Sequence, residues 1–217
     1  MSIPSVSLRR LAAVLSLFVL AACVSQETRT ATDFGLSVGD VAKLAEHAPG
    51  DWEWLVEQGD EKKVELVVEF DLPEATKKEA VPHFGPKEAM SVTAYRAGEK
   101  VDTLLGFMER RGWSDKREFE DARRTWGFLI DTVVRGYSPD FDFVRWQEET
   151  HLTDRLQGNG LLAYRYAERD GVAIGYIHYV HFVSVIVTVN GACKADLERT
   201  FAAGKLGGDG ICGGVFD

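Results

Sequence analysis

Positive charge is scarce in this chain. Lys and Arg number 25 against 34 Asp and Glu, a formal charge of −9. Such a surface repels phosphate backbones and anionic headgroups, which argues against nucleic acid as a partner. Cysteine is scarcer still: there are three, and none stands in the Cys-x-x-Cys spacing of thiol redox catalysts. No serine occupies a Gly-x-Ser-x-Gly frame, so the chain lacks a nucleophile elbow. No cofactor motif and no internal repeat is present. What the chain has instead is 45% hydrophobic residues and twelve Phe, enough for a packed core and too much for a disordered chain.

The N-terminus is organised differently from the rest. Arg9 and Arg10 have no acidic neighbour, and Leu11 to Leu20 is a ten-residue apolar run. A basic region followed by a run of this length has the layout of a secretory signal. A bilayer core of roughly 30 Å needs about 20 apolar residues as a helix, so the run is too short for a permanent span. An ordinary leader-peptidase site has small residues three before and one before the cut, and Leu20 fits the first of these poorly. The alternative is a plain secretory signal beside a chance cysteine.

Leu20-Ala21-Ala22-Cys23 resembles the lipobox of bacterial lipoproteins. The resemblance implies that residues 1–22 are removed, that Cys23 begins the mature protein, and that its thiol carries a diacylglyceryl (palmitate-type) thioether. One acyl chain binds membrane marginally, at about 0.8 kcal/mol per buried methylene, whereas two or three anchor stably. Val24 replaces the Asp that commonly retains such proteins at the inner membrane, which implies an outer-membrane address facing the periplasm. Without residues 1–22 the formal charge falls from −9 to −11, so the lipid and not the protein surface is expected to bind the membrane.

With Cys23 lipidated, Cys193 and Cys212 remain, in a compartment where disulfides persist. They are expected to pair. The alternative is two free thiols. The link would enclose eighteen residues and contribute about 3 kcal/mol in the chain-entropy account.

Residues 23–36 are polar and read as a lipidated tether, leaving 37–217 as one domain. Ser37 and Asp40 cap a helix with Val38, Val41, Leu44 and Ala45 on one face, stopped by Pro49-Gly50. Trp52, Trp54 and Val56, then Val64, Leu66, Val68 and Phe70, alternate with polar residues and predict a hairpin. Three of the six prolines fall in Asp71 to Lys87, which reads as a loop with a short helical turn at Glu74–Ala80. Ala89 to Arg96 predicts a strand. Glu99 to Arg111 predicts a helix, from the spacing of Val101, Leu104, Leu105 and Met108. Asp115 to Arg135 predicts another, with Phe119, Ala122, Trp126, Leu129, Ile130 and Val133 inward; within it, 126–134 also fits a buried strand. Phe141 to Leu152 and Gly160 to Glu168 predict strands, and Asp170-Gly171 a hairpin turn. Val172 to Val189 as one strand would span roughly 60 Å, so it must break near Val180-His181. Asn190-Gly191 ends it, and Lys194 to Ala203 predicts a terminal helix.

Few side-chain sets invite chemistry. His178 and His181 are three apart on a strand, so they point to opposite faces and do not chelate one ion without a bulge. Glu148, Glu149, His151 and Asp154 form a polar cluster that could serve acid–base work or bind a cation, and that a solvated strand end explains equally. Gly204 to Gly214 follows a helix and ends without Lys-Ser/Thr, unlike a phosphate loop, so no nucleotide is expected. Trp52, Trp54, Tyr164, Tyr166, Tyr176 and Tyr179 suit either a binding surface or a core edge.

These features predict an α+β sandwich. Its mostly antiparallel sheet is drawn chiefly from 141–190, with helices 99–111, 115–135 and 194–203 packed on it. The arrangement is loosely similar to PsbP-like domains, which also occur in bacterial lipoproteins; that resemblance implies the fold alone. The function expected is a membrane-anchored envelope lipoprotein whose acidic domain binds a protein or envelope component, without cofactor or catalysis. The alternative is an envelope hydrolase or metal-dependent enzyme using the acids near Glu148–Asp154.

Overall fold

The computed structural model describes residues 32–50, 52–58, 61–69, 88–109, 116–149, 161–179, 182–204 and 212. From Thr32 onward they form one unit. A short helix α1 (Val38–Ala42) continues as a 3-10 turn (Lys43–His47). Four strands follow: β1 (Leu55–Gln58), β2 (Lys63–Glu69), β3 (Glu88–Tyr95) and β4 (Thr103–Glu109). Next come α2 (Lys116–Arg135) and α3 (Phe143–Glu149), then β5 (Leu161–Arg169), β6 (Val172–Tyr179), β7 (Phe182–Thr188) and α4 (Gly191–Ala202). The seven strands make one antiparallel sheet in the order β1-β2-β3-β4-β7-β6-β5, with the four helices packed on it. The α+β reading therefore holds, with a sheet that also includes residues 55–109.

Several elements follow directly from local chemistry. At α1 the Ser37 Oγ accepts from the Asp40 amide at 3.1 Å, while the Asp40 carboxylate accepts from the Ser37 amide at 3.0 Å. The Ser37 hydroxyl is also the main reason that the Asp40 carboxyl lies below its ordinary pKa. Asp170 (φ 52°) and Gly171 (φ 79°) make the left-handed turn between β5 and β6. The long apolar run divides as its length requires, into β6 and β7, which pair antiparallel with His178 opposite Val183. Residues 180 and 181 lie outside the described residues. Helix α2 is a helix throughout, which settles 126–134, and it buries Ala122, Trp126, Leu129, Ile130 and Val133.

Three expectations are corrected. Glu99 to Arg111 is not a helix: Thr103–Glu109 is strand β4, paired with β3 on one side and β7 on the other. Leu104 and Met108 face one side and Leu105 and Phe107 the other, so a strand covered on both faces mimics a helical stripe in sequence. Phe141 to Leu152 is not a strand: Phe143–Glu149 is helix α3, and residues 150–152 lie outside the described residues. Its start is fixed by tertiary contact, because Asp131 Oδ1 on α2 accepts from the Phe143 amide at 2.6 Å. Trp52 and Trp54 precede β1, which begins at Leu55, and Val56 is 44% exposed instead of sharing their packing.

One face of the sheet carries the larger core. Across it, in register, run Val64, Ala94, Leu104, Val187 and Ile174, then Leu66, Val92, Gly106, Val185 and Tyr176. Helix α2 sets Trp126 on Gly106, where a Cβ would lie 2.6 Å from the indole. Trp126 Nε1 donates to the Ser91 carbonyl at 3.0 Å, so the largest buried side chain has its polar atom satisfied. Phe143 and Trp146 of α3 cover Tyr176, with ring centroids 6.5 and 5.9 Å away. Phe34, placed in the tether by composition, is 1% exposed, and its amide donates to the Val101 carbonyl at 2.7 Å.

The opposite face is covered by α4. Leu197 and Phe201 pack over Gly175, and Cys193 is linked to Cys212 by a disulfide. Asn190 caps this helix: its Oδ1 accepts from the amides of Ala192 and Cys193, both at 3.1 Å. Its Nδ2 donates to Asp102 Oδ2 at 3.2 Å. Asp102 also accepts from the Thr103 hydroxyl and the Ala97 amide, which ties the start of β4 to the helix cap.

Candidate functional site

Most side chains singled out from sequence belong to the core or fall outside the described residues. His178 is 2% exposed beside Tyr176, at a centroid distance of 6.3 Å, on the α2–α3 face. His181 lies outside the described residues, as do His151 and Asp154. Glu148 and Glu149 fall in the last turn of α3. Of Gly204 to Gly214 only Gly204 and Cys212 are described. Among the described residues no group of three His, Cys, Asp or Glu is placed to hold a metal ion, and no helix is long and apolar enough to cross a membrane. Tyr176 is fully buried, and Trp54 packs against the core. Tyr164 and Tyr166 lie 6.2 and 6.4 Å from the Phe201 ring, with Tyr164 45% exposed.

Trp52 also packs against the core, half-buried, and has a second setting. It lines a cleft of about 530 Å³ between the segment entering β1 and the first half of α2. That volume lies within the usual range for small-ligand sites, about 300–1,000 Å³. Among the described residues the walls are Pro49, Gly50 and Trp52 on one side and Glu118, Asp121, Arg124 and Thr125 on the other. Glu118, Asp121 and Thr125 fall at i, i+3 and i+7, so they share one stripe of α2 beside its buried face. The two walls are joined where the Thr125 hydroxyl meets the Pro49 carbonyl at 3.0 Å. Gly50 has φ +93°, and a Cβ there would lie 2.7 Å from Trp52 Nε1. Glycine thus makes both the turn and the close approach of the indole possible. Asp121 is bracketed by Arg124 at 3.9 Å and Arg117 at 4.0 Å, ion pairs beyond hydrogen-bond length. The exposed Asp121 carboxylate and Arg124 guanidinium border the cleft.

Trp52 was legible as a candidate from its residue type. Its partners were not, because Glu118, Asp121 and Arg124 read as a solvated helix face until α2 is docked beside residues 49–52. The only signal available was their helical spacing next to the apolar stripe.

A second hollow, of about 450 Å³, lies where α2 ends and α3 begins, with Arg135, Arg145, Arg169, Asp140 and Asp142 among its walls. The Arg135 Nε donates to the Phe141 carbonyl at 3.0 Å, and its terminal nitrogen is 3.8 Å from Asp131. Burial pushes the Asp131 carboxyl up to about 6, against the lowering effects of the Phe143 amide and Arg135.

Comparisons with protein-family models, curated proteins and solved structures give no match to this chain.

Proposed function

We propose that this chain is an exported lipoprotein, anchored through lipid on Cys23, whose acidic domain binds an envelope component or protein in the periplasm. The Leu20–Cys23 motif, standing directly after Arg9-Arg10 and the apolar run Leu11–Leu20, carries this reading. The Cys193–Cys212 disulfide supports it independently, since such links persist in oxidising compartments. The surplus of acidic side chains supports a role in which the lipid does the membrane binding and the domain stays clear of anionic headgroups. The Trp52 cleft supplies a concave surface with an aromatic wall for the ligand.

The test is metabolic labelling with a palmitate analogue in a bacterial host, followed by membrane fractionation. Wild type takes up label and sediments with the outer membrane, and Cys23→Ser takes up none. Equal labelling of both proteins, or none of the wild type, sinks the proposal.

A further inference from the structure

We propose that the Trp52 cleft binds a sugar ring of an envelope glycan, which gives the binding reading above its ligand class. The argument starts from what the cleft can satisfy. Among the described residues its lining carries the carboxylates of Glu118 and Asp121 and the guanidinium of Arg124. An anion entering the cleft meets two carboxylates, and a cation pairs with the carboxylates but not with Arg124. A wholly apolar ligand would strip water from charged groups and return no hydrogen bond.

A neutral polyol pairs with groups of both signs. Its hydroxyls donate to carboxylates and accept from guanidinium, and both kinds of partner stand on one wall. A pyranose also has an apolar C–H face, and the opposite wall includes the half-buried indole of Trp52, an aromatic side chain of the kind on which such a face stacks. Asp121 and Arg124 keep hydrogen-bonding capacity for a ligand, because their mutual contact is 3.9 Å. The walls are set before binding. The Thr125 hydroxyl holds the Pro49 carbonyl, and Gly50 holds the chain in a left-handed bend, so little ordering is required of the protein. Among the described residues the second hollow is lined mostly by charged groups, three arginines and two aspartates.

The glycan of the cell wall and the sugars of an outer-membrane glycolipid share this chemistry, and the experiment separates them. The full-length chain, purified in detergent, is titrated calorimetrically with a β-1,4-linked N-acetylglucosamine tetramer and, separately, with a lipopolysaccharide core oligosaccharide. One of the two is expected to bind with a submillimolar dissociation constant. Trp52→Ala weakens that binding about tenfold or more. The double variant Asp121→Asn, Arg124→Ala weakens it several-fold; its side chains are mostly exposed, so it keeps the fold and decides the matter if Trp52→Ala fails to fold. Binding of neither oligosaccharide overturns the proposal. So does binding that both variants leave unchanged, or Trp52-dependent binding of a lysine-rich peptide in place of the sugars. Titration reads the cleft whether or not Cys23 carries lipid, so failure here is distinct from failure of the anchor.

Discussion

On one face of the sheet α2 presses Trp126 onto Gly106; on the other, α4 presses Leu197 and Phe201 onto Gly175. The geometry is alike, since each helix exploits a glycine in the strand below to approach closely. The means of holding it differ. The Trp126 face is a continuous apolar layer from β2 to β6 under α1, α2 and α3. Among the described residues the α4 face has six buried in its cluster, Ala173, Ile186, Cys193, Leu197, Phe201 and Cys212, and two of them are the disulfide. Where apolar area is plentiful, burial at roughly 25 cal/mol per Å² is enough. Where it is small, the chain adds a covalent link and a polar cap at Asn190.

That contrast can be broken at its stronger side first. Trp126→Ala removes the central side chain of the larger core and leaves the Ser91 carbonyl without its donor. A loss of about 3–5 kcal/mol is expected, read as a lower urea midpoint. A loss below about 1 kcal/mol would show that α2 is held by something other than this layer.

Removing the disulfide, by reduction or by Cys193→Ser with Cys212→Ser, is expected to cost about 3 kcal/mol. Hydrogen exchange should localise the effect: amides of α4, β5 and β6 lose protection before those of α2 and β3. Uniform loss across the sheet would mean that the two faces do not differ in the way described.

The smallest effect concerns the seam between α2 and α3, which belongs wholly to the larger core. Asp131 titrates at about 6 in the folded chain, against 3.8 for an ordinary aspartate. Between those values the folded state binds the extra proton, so this group's contribution to stability falls as pH rises through about 4 to 6 and stays low above. At roughly 1.4 kcal/mol per pKa unit, a rise from 3.8 to about 6 costs at most about 3 kcal/mol at neutral pH. Asp131→Asn should therefore be more stable than wild type at pH 8, with the gap closing towards pH 4. Parallel stability–pH curves for the two proteins would rule out the buried carboxylate as the cause.

Much of the fold was legible. Helix α2 was expected from its apolar stripe, with 126–134 open between helix and strand; the β5–β6 turn followed from Asp170-Gly171, and the β6–β7 break from the limit on strand length. Pairing of Cys193 with Cys212 rested on compartment and elimination, and the structure links the two. The Ser37–Asp40 box stood as read. Two elements were misread, each for its own reason. Strand β4 is buried on both faces, which erases the period-two alternation that marks a half-buried strand. Helix α3 is seven residues long and rich in aromatic and β-branched side chains, so its propensity points to a strand. Asp131 on α2 and Tyr176 on β6 override that preference, and neither is near in sequence.

Sequence alone thus determined whatever depends on neighbours within a few residues: turns, caps, the amphipathic stripe of α2, and the Leu20–Cys23 motif on which the anchoring proposal rests. Tertiary structure decided the rest. It set the identity of segments whose burial is complete, because full burial hides the period. It also set the Trp52 cleft, because residues 49–52 and 118–125 meet only when α2 docks on the sheet. A short local interaction is encoded where it acts; a wall built from two distant segments exists only once packing has brought them together.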